Sequence, residues 1–131
     1  MHILQWLEIN LTKVIVKYHP IPAIVSGFFI LCVCLIPGNT LPKSGILESI
    51  FIDKWVHLFL YIGWTYIWFL GLQKLPRQSM LLKIVLFMAV YGAFIEVLQH
   101  YFVSGRSAEF LDWVADIAGI GVGYILWFKR K

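Results

Sequence analysis

The sequence predicts an all-α integral membrane protein: a four-helix membrane bundle preceded by an amphipathic helix lying on the membrane surface. Three observations carry this. Hydrophobic residues make up 60% of the 131-residue chain and charged residues only 14%, with a mean hydropathy of +0.81. The apolar residues gather in four long runs. The acidic residues sit almost entirely at one end of those runs. A soluble domain would carry about a quarter charged residues, so this chain lacks the polar surface to live in water. The net charge of +4 does not mark a nucleic-acid binder, because the basic residues are scattered through loops and the C-terminus, as topology determinants are.

Residues 1–20 read as an amphipathic interfacial helix. Ile3, Leu4, Leu7, Leu11, Val14 and Ile15 recur at helical spacing, with Gln5, Glu8, Thr12 and Lys13 between them. His19-Pro20 ends it, since proline disfavours helix in the residue before it. A signal peptide is not expected, because no small-x-small cleavage site follows the first apolar run. Residues 21–131 then form one domain of four spans, at Ile21–Ile36, Trp55–Leu72, Ile84–Phe102 and Phe110–Phe128. A crossing needs about 20 residues, within a range of about 17–25. Pro37-Gly38 stops the first span. Cys32 and Cys34 point to different helix faces and read as buried apolar thiols.

Orientation follows from lysine and arginine. With the N-terminus inside, the inner segments hold Lys13, Lys17, Lys74, Arg77, Lys83, Lys129, Arg130 and Lys131; the outer ones hold Lys43, Lys54 and Arg106. The positive-inside rule places both termini in the cytoplasm of a multi-pass plasma-membrane protein. Glu48, Asp53, Glu109 and Asp112 then lie outside, with Glu96 and Asp116 reaching inward.

Charge within a span costs roughly 2.5–3.5 kcal/mol per group on insertion scales. Repeating that cost on three helices at one depth predicts a polar site. Asp53 and His57 are four apart and share a face. Glu96, Gln99 and His100 are three and four apart; Asp112 and Asp116 are four apart. Asp116 lies about 6 Å deeper than Asp112, and Glu96 about 6 Å below His100, so His57, Glu96 and Asp116 can meet at one level. Asp112, Asp116, Gly119 and Gly123 fall on one stripe, matched on the third span by Ala89, Gly92, Ala93 and Glu96, so these two spans are expected to pack together. The glycines also offer a face for a homo-oligomer.

The ordered set Asp53-Lys54-x-x-His57, Glu96-x-x-Gln99, Arg106, Asp112, Asp116, Gly119 and Gly123 resembles the VanZ-like membrane protein family. The run from Pro37 to Lys43 is similar to a subset of it, and the likeness covers roughly residues 37–123. The chain departs from the family at Asp116, where Asn is usual. The family takes its name from a protein associated with resistance to teicoplanin, a lipid-tailed glycopeptide antibiotic. The resemblance therefore implies a bacterial plasma-membrane protein acting on the cell envelope.

The first expectation is a binding protein. Asp53, Lys54, His57, Glu96, Gln99, Arg106, Asp112 and Asp116 would hold the head group of a membrane lipid or amphiphile, with Arg106 and Lys54 engaging phosphate or carboxylate. A different class is an intramembrane hydrolase or transferase acting on a lipid head group, with His57, Glu96 and Asp116 as catalytic candidates. No HExxH, Cys-His pair or serine nucleophile motif accompanies them. A third class is an oligomeric small transporter or flippase. No cofactor and no metal is expected, because scattered carboxylates more often pair with Arg and Lys. Arg106, on the loop entering the fourth span, is expected to fold back onto Asp112 or Asp116.

Overall fold

The computed structural model of the protein describes residues 3–37, 52–72 and 76–130. The expectations that rest on Gly38 to Lys43, Glu48, Lys74 and Lys131 lie outside them, as does that on the side chain of Leu4. The described residues form five α-helices and no strand: α1 (Ile3–Tyr18), α2 (Ile21–Cys34), α3 (Ile52–Gly71), α4 (Gln78–Phe102) and α5 (Phe110–Arg130).

Two of these, α4 and α5, are long and apolar enough to cross a membrane. Their 25 and 21 residues extend roughly 38 and 32 Å, against a hydrocarbon core of about 30 Å. The fourteen residues of α2 reach only about 21 Å. Gln5–Tyr18 of α1 and the whole of α2 are apolar enough together for a broken span or a re-entrant loop, bent by 99° at the residues between them. Proline lacks an N–H, and Pro20 stands at this break. Pro22 is tolerated because it falls in the first turn of α2. Helix α3 has 20 residues, but Trp55, His57, Tyr61, Trp64, Tyr66 and Trp68 lower its hydropathy.

The molecule is apolar on the outside. Leu82, Leu86, Phe87, Val90, Phe94 and Val97 of α4 are exposed, as are Phe110, Leu111, Val114, Ile125 and Leu126 of α5. Water would penalise apolar surface on this scale; lipid does not. The apolar face of α1 is exposed too, at Ile3, Leu7, Leu11 and Val14. Cys34 is buried, whereas Cys32 is exposed on the outer face of α2.

The centre of the fold is α3, which packs along α5 with both helices running in the same direction. His57 pairs with Asp116 at one end, and Tyr66 with Arg130 at the other. Between them two glycines set the spacing. A Cβ on Gly119 would sit 2.6 Å from the Leu58 carbonyl oxygen, and one on Gly123 2.6 Å from that of Ile62. The lack of Cβ is what lets the backbones approach this closely. This corrects the expected pairing of third and fourth spans along the stripe: Gly119 and Gly123 face α3, not α4. Within one chain, α3 covers the face that holds Gly119 and Gly123, the face expected to serve a homo-oligomer.

Helix α4 meets α5 higher up, where Gly92 leaves room for Asp116, and Trp113 Nε1 donates to the Ala89 carbonyl at 2.9 Å. Helix α2 lies on α3 through Ala23, Gly27, Ile30 and Cys34. Trp64 Nε1 donates to the Ala23 carbonyl at 2.7 Å, and the Tyr91 hydroxyl donates to that of Gly27 at 2.8 Å. Away from water each such ring donor needs a partner. At the far end, Arg130 binds Tyr66, Thr12 and Glu8 at 3.0, 3.1 and 3.2 Å, tying α1, α3 and α5 together.

Candidate functional site

The first turns of α3 and α5 and the last turns of α4 converge at one end of the bundle. Helical spacing does the local work. Asp53 and Asp112 occupy first turns, where an acid favours the positive end of the helix dipole. His57 and Asp116 follow one turn deeper on the same faces. The loop from α4 to α5 turns at Gly105, whose φ of 74° suits glycine. It then brings the Glu109 amide to donate to Glu96 Oε2 at 3.0 Å.

The cluster has two layers. In the outer one, Lys54 Nζ lies 2.8 Å from Asp53 Oδ2, 2.6 Å from Glu109 Oε2 and 3.0 Å from Asp112 Oδ1. Asp112 is buried, while Glu109 is exposed. In the inner layer, His57 Nδ1 lies 2.9 Å from Asp116 Oδ1 and 4.0 Å from Glu96 Oε1. His57, Glu96 and Asp116 are 2%, 6% and 1% exposed, so no water shell screens them. Gln99, about one turn nearer the mouth than Glu96, is buried and donates to the Cys34 carbonyl at 2.8 Å.

Several buried polar atoms here have no hydrogen-bond partner among the described residues: Glu96 Oε1, Asp116 Oδ2, Gln99 Oε1 and the Tyr61 hydroxyl. Two of these atoms, Asp116 Oδ2 and the Tyr61 hydroxyl, are neighbours. A Cβ on Gly92 would sit 2.6 Å from Asp116 Oδ2 and 3.1 Å from the Tyr61 hydroxyl, so both crowd the same small opening. Such groups cost free energy unless something satisfies them. Together they can accept hydrogen bonds from a polar ligand or hold a cation.

The structure thus brings together Asp53, Lys54, His57, Glu96, Gln99, Asp112 and Asp116. Arg106 is the exception. It makes no ion pair with Glu96, Asp112 or Asp116, and its Nε is buried without a partner among the described residues. The expected cap fails because both acids already have partners from α3: Lys54 for Asp112 and His57 for Asp116. Lys54 likewise faces three carboxylates. His100 is exposed, with its ring edge-on to Tyr101.

Two members of the cluster were not singled out from sequence. Tyr61 is four residues after His57 and therefore on the same helix face, a signal hidden among the chain's many aromatic residues. Glu109 lies just ahead of α5 and reaches Lys54 only because the loop folds over.

No curated protein and no solved structure matches the chain. The description VanZ/LLP1 belongs to a family model that matches residues 7–130. That match spans every helix that supplies the polar cluster. A match over that much of the chain shows that it belongs to the VanZ/LLP1 family.

Proposed function

We propose that the chain is a multi-pass plasma-membrane protein that binds the head group of a lipid or amphiphile and thereby modulates the cell envelope. In this reading four spans cross the bilayer, α1 lies at the interface, both termini are cytoplasmic, and the polar cluster opens outward. The tail of the ligand stays in the bilayer.

One observation carries the reading: an aromatic pair, Trp64 and Tyr61, links an apolar groove to the buried polar cluster. The groove has a volume of about 380 Å³ and runs between α2 and α3, lined by Val25, Phe29, Ile30, Phe59, Gly63 and Trp64 among others. Trp64 packs edge-on against Tyr61, with ring centroids 5.5 Å apart. The Tyr61 hydroxyl in turn sits beside Asp116. Unpartnered polar atoms close to an apolar groove suit an amphiphile. Envelope and antibiotic-resistance roles are what family membership suggests for such a binder.

Gly63 gives the test. A Cβ there would meet nothing within 4 Å, so Gly63→Leu fills the groove without a clash. The protein is purified in mild detergent and its retained lipid measured by native mass spectrometry. Retention should fall in Gly63→Leu at unchanged melting temperature. Equal retention would sink the tail-groove reading.

A second reading, an intramembrane hydrolase or transferase, is favoured by the 2.9 Å contact between His57 and Asp116 with Glu96 at 4.0 Å. In it His57 acts as base, oriented by Asp116, on the same head group.

A further inference from the structure

We propose that His57, Glu96 and Asp116 bind a first-row divalent metal ion, of which zinc is the type. The site shares Glu96 and Asp116 with the proposed head-group site, but metal binding does not require a bound head group.

Two groups of side chains in the cluster have chelating spacing: His57, Glu96 and Asp116 in the inner layer, and Asp53, Glu109 and Asp112 in the outer one. They differ in what already fills them. Lys54 Nζ lies 2.6–3.0 Å from all three outer acids. That ammonium is the outer layer's cation, and a second one has no place there. Among the described residues the inner layer has no lysine or arginine ion pair. Two carboxylates there share one imidazole, away from water.

Geometry supports the choice. Zinc bonds of about 2.1 Å place tetrahedral ligand atoms about 3.4 Å apart. The His57–Asp116 and His57–Glu96 distances, 2.9 and 4.0 Å, straddle that value. All three ligand atoms lie within 4.8 Å of one another, so small side-chain rotations close the set. An imidazole with two carboxylates suits zinc and its neighbours better than magnesium or calcium, which favour all-oxygen sites.

A second observation points to a ligand in this place. Glu96 Oε1, Asp116 Oδ2 and the Tyr61 hydroxyl are buried and unpartnered among the described residues. Tyr61 is 0% exposed. A metal takes up the Glu96 oxygen directly. Its fourth position falls to water or to the ligand, with Tyr61 close by to hydrogen-bond it.

The test is metal content of the full chain, purified in detergent without chelator, without a histidine tag, from zinc-supplemented cells. Elemental analysis should give close to one zinc per chain. The ratio should fall about tenfold or more in His57→Ala and in Asp116→Ala, and stay unchanged in Glu109→Gln. The unmutated protein also supplies a readout independent of variant folding: cobalt exchanged into it should show the intense visible absorption of a tetrahedral site. Zinc near background, zinc lost equally from Glu109→Gln, or a cobalt spectrum like that of the free ion would each overturn the proposal and leave protons to balance the inner carboxylates.

Discussion

His57 and Asp116 meet at 2.9 Å across the interface between two helices that run in the same direction. The pair is 2% and 1% exposed and sits directly above the glycine contact that fixes the spacing of α3 and α5. Fold and site therefore share a single joint.

That sharing separates two substitutions at Asp116. Asn keeps the acceptor oxygen that faces His57 and is the residue usual in the family. Ala leaves a buried imidazole nitrogen without its partner, at a cost of about 1–3 kcal/mol. Asp116→Asn should therefore be the mildest change in the cluster, and Asp116→Ala clearly destabilising. Thermal unfolding in detergent checks this; equal melting temperatures for the two would remove the pair from the account.

Glu96 should behave differently. Its Oε2 accepts from the Glu109 amide, while its Oε1 has no partner among the described residues. Glutamine can preserve the first contact but not the charge. Glu96→Gln should change stability by no more than about 1 kcal/mol yet reduce lipid retention. Loss of abundance and retention in step would mean the carboxylate only holds the fold.

The glycines offer a contrast within one helix. A side chain at Gly119 meets the Leu58 carbonyl at 2.6 Å, whereas one at Gly121 meets nothing within 4 Å. Gly119→Leu should cost about 1–3 kcal/mol or more through overpacking, and Gly121→Ala nothing comparable. The yield of monodisperse protein on size exclusion reads the difference. Tolerance of Gly119→Leu would mean that α3 and α5 do not pack this way.

Much of this was legible from the sequence. Spacings of three and four put His57, Glu96, Gln99, Asp112 and Asp116 on inward faces because helix geometry is local. Partner choice was not legible. The stripe of Gly119 and Gly123 announced a close helix contact, but small residues do not say which neighbour uses it, and α3 took the place expected of α4. Arg106 illustrates the same gap. Its position in sequence made it the nearest cation to Asp116, yet His57 arrives from another helix and pairs with one oxygen of that acid. The four-span reading weighed apolar runs, whereas the aromatic and histidine content of α3 lowers its hydropathy.

Topology has its own check. In a background lacking Cys32 and Cys34, cysteine at Ser107 should react with an impermeant reagent on intact cells, and cysteine at Ser79 only after permeabilisation, since basic residues concentrate on the side of Arg77 and Lys83. The reverse pattern would move the cluster to the cytoplasmic leaflet.

The central claim is that the cluster is a ligand site and not merely a polar joint. A crystal structure grown from a lipidic phase tests it most directly. Head-group density is expected against Glu96, Tyr61 and Asp116, continuous with tail density between Phe29 and Trp64. A map in which lipid is ordered only elsewhere on the surface, and the free oxygens of Glu96 and Asp116 are satisfied by the protein's own side chains, would contradict it.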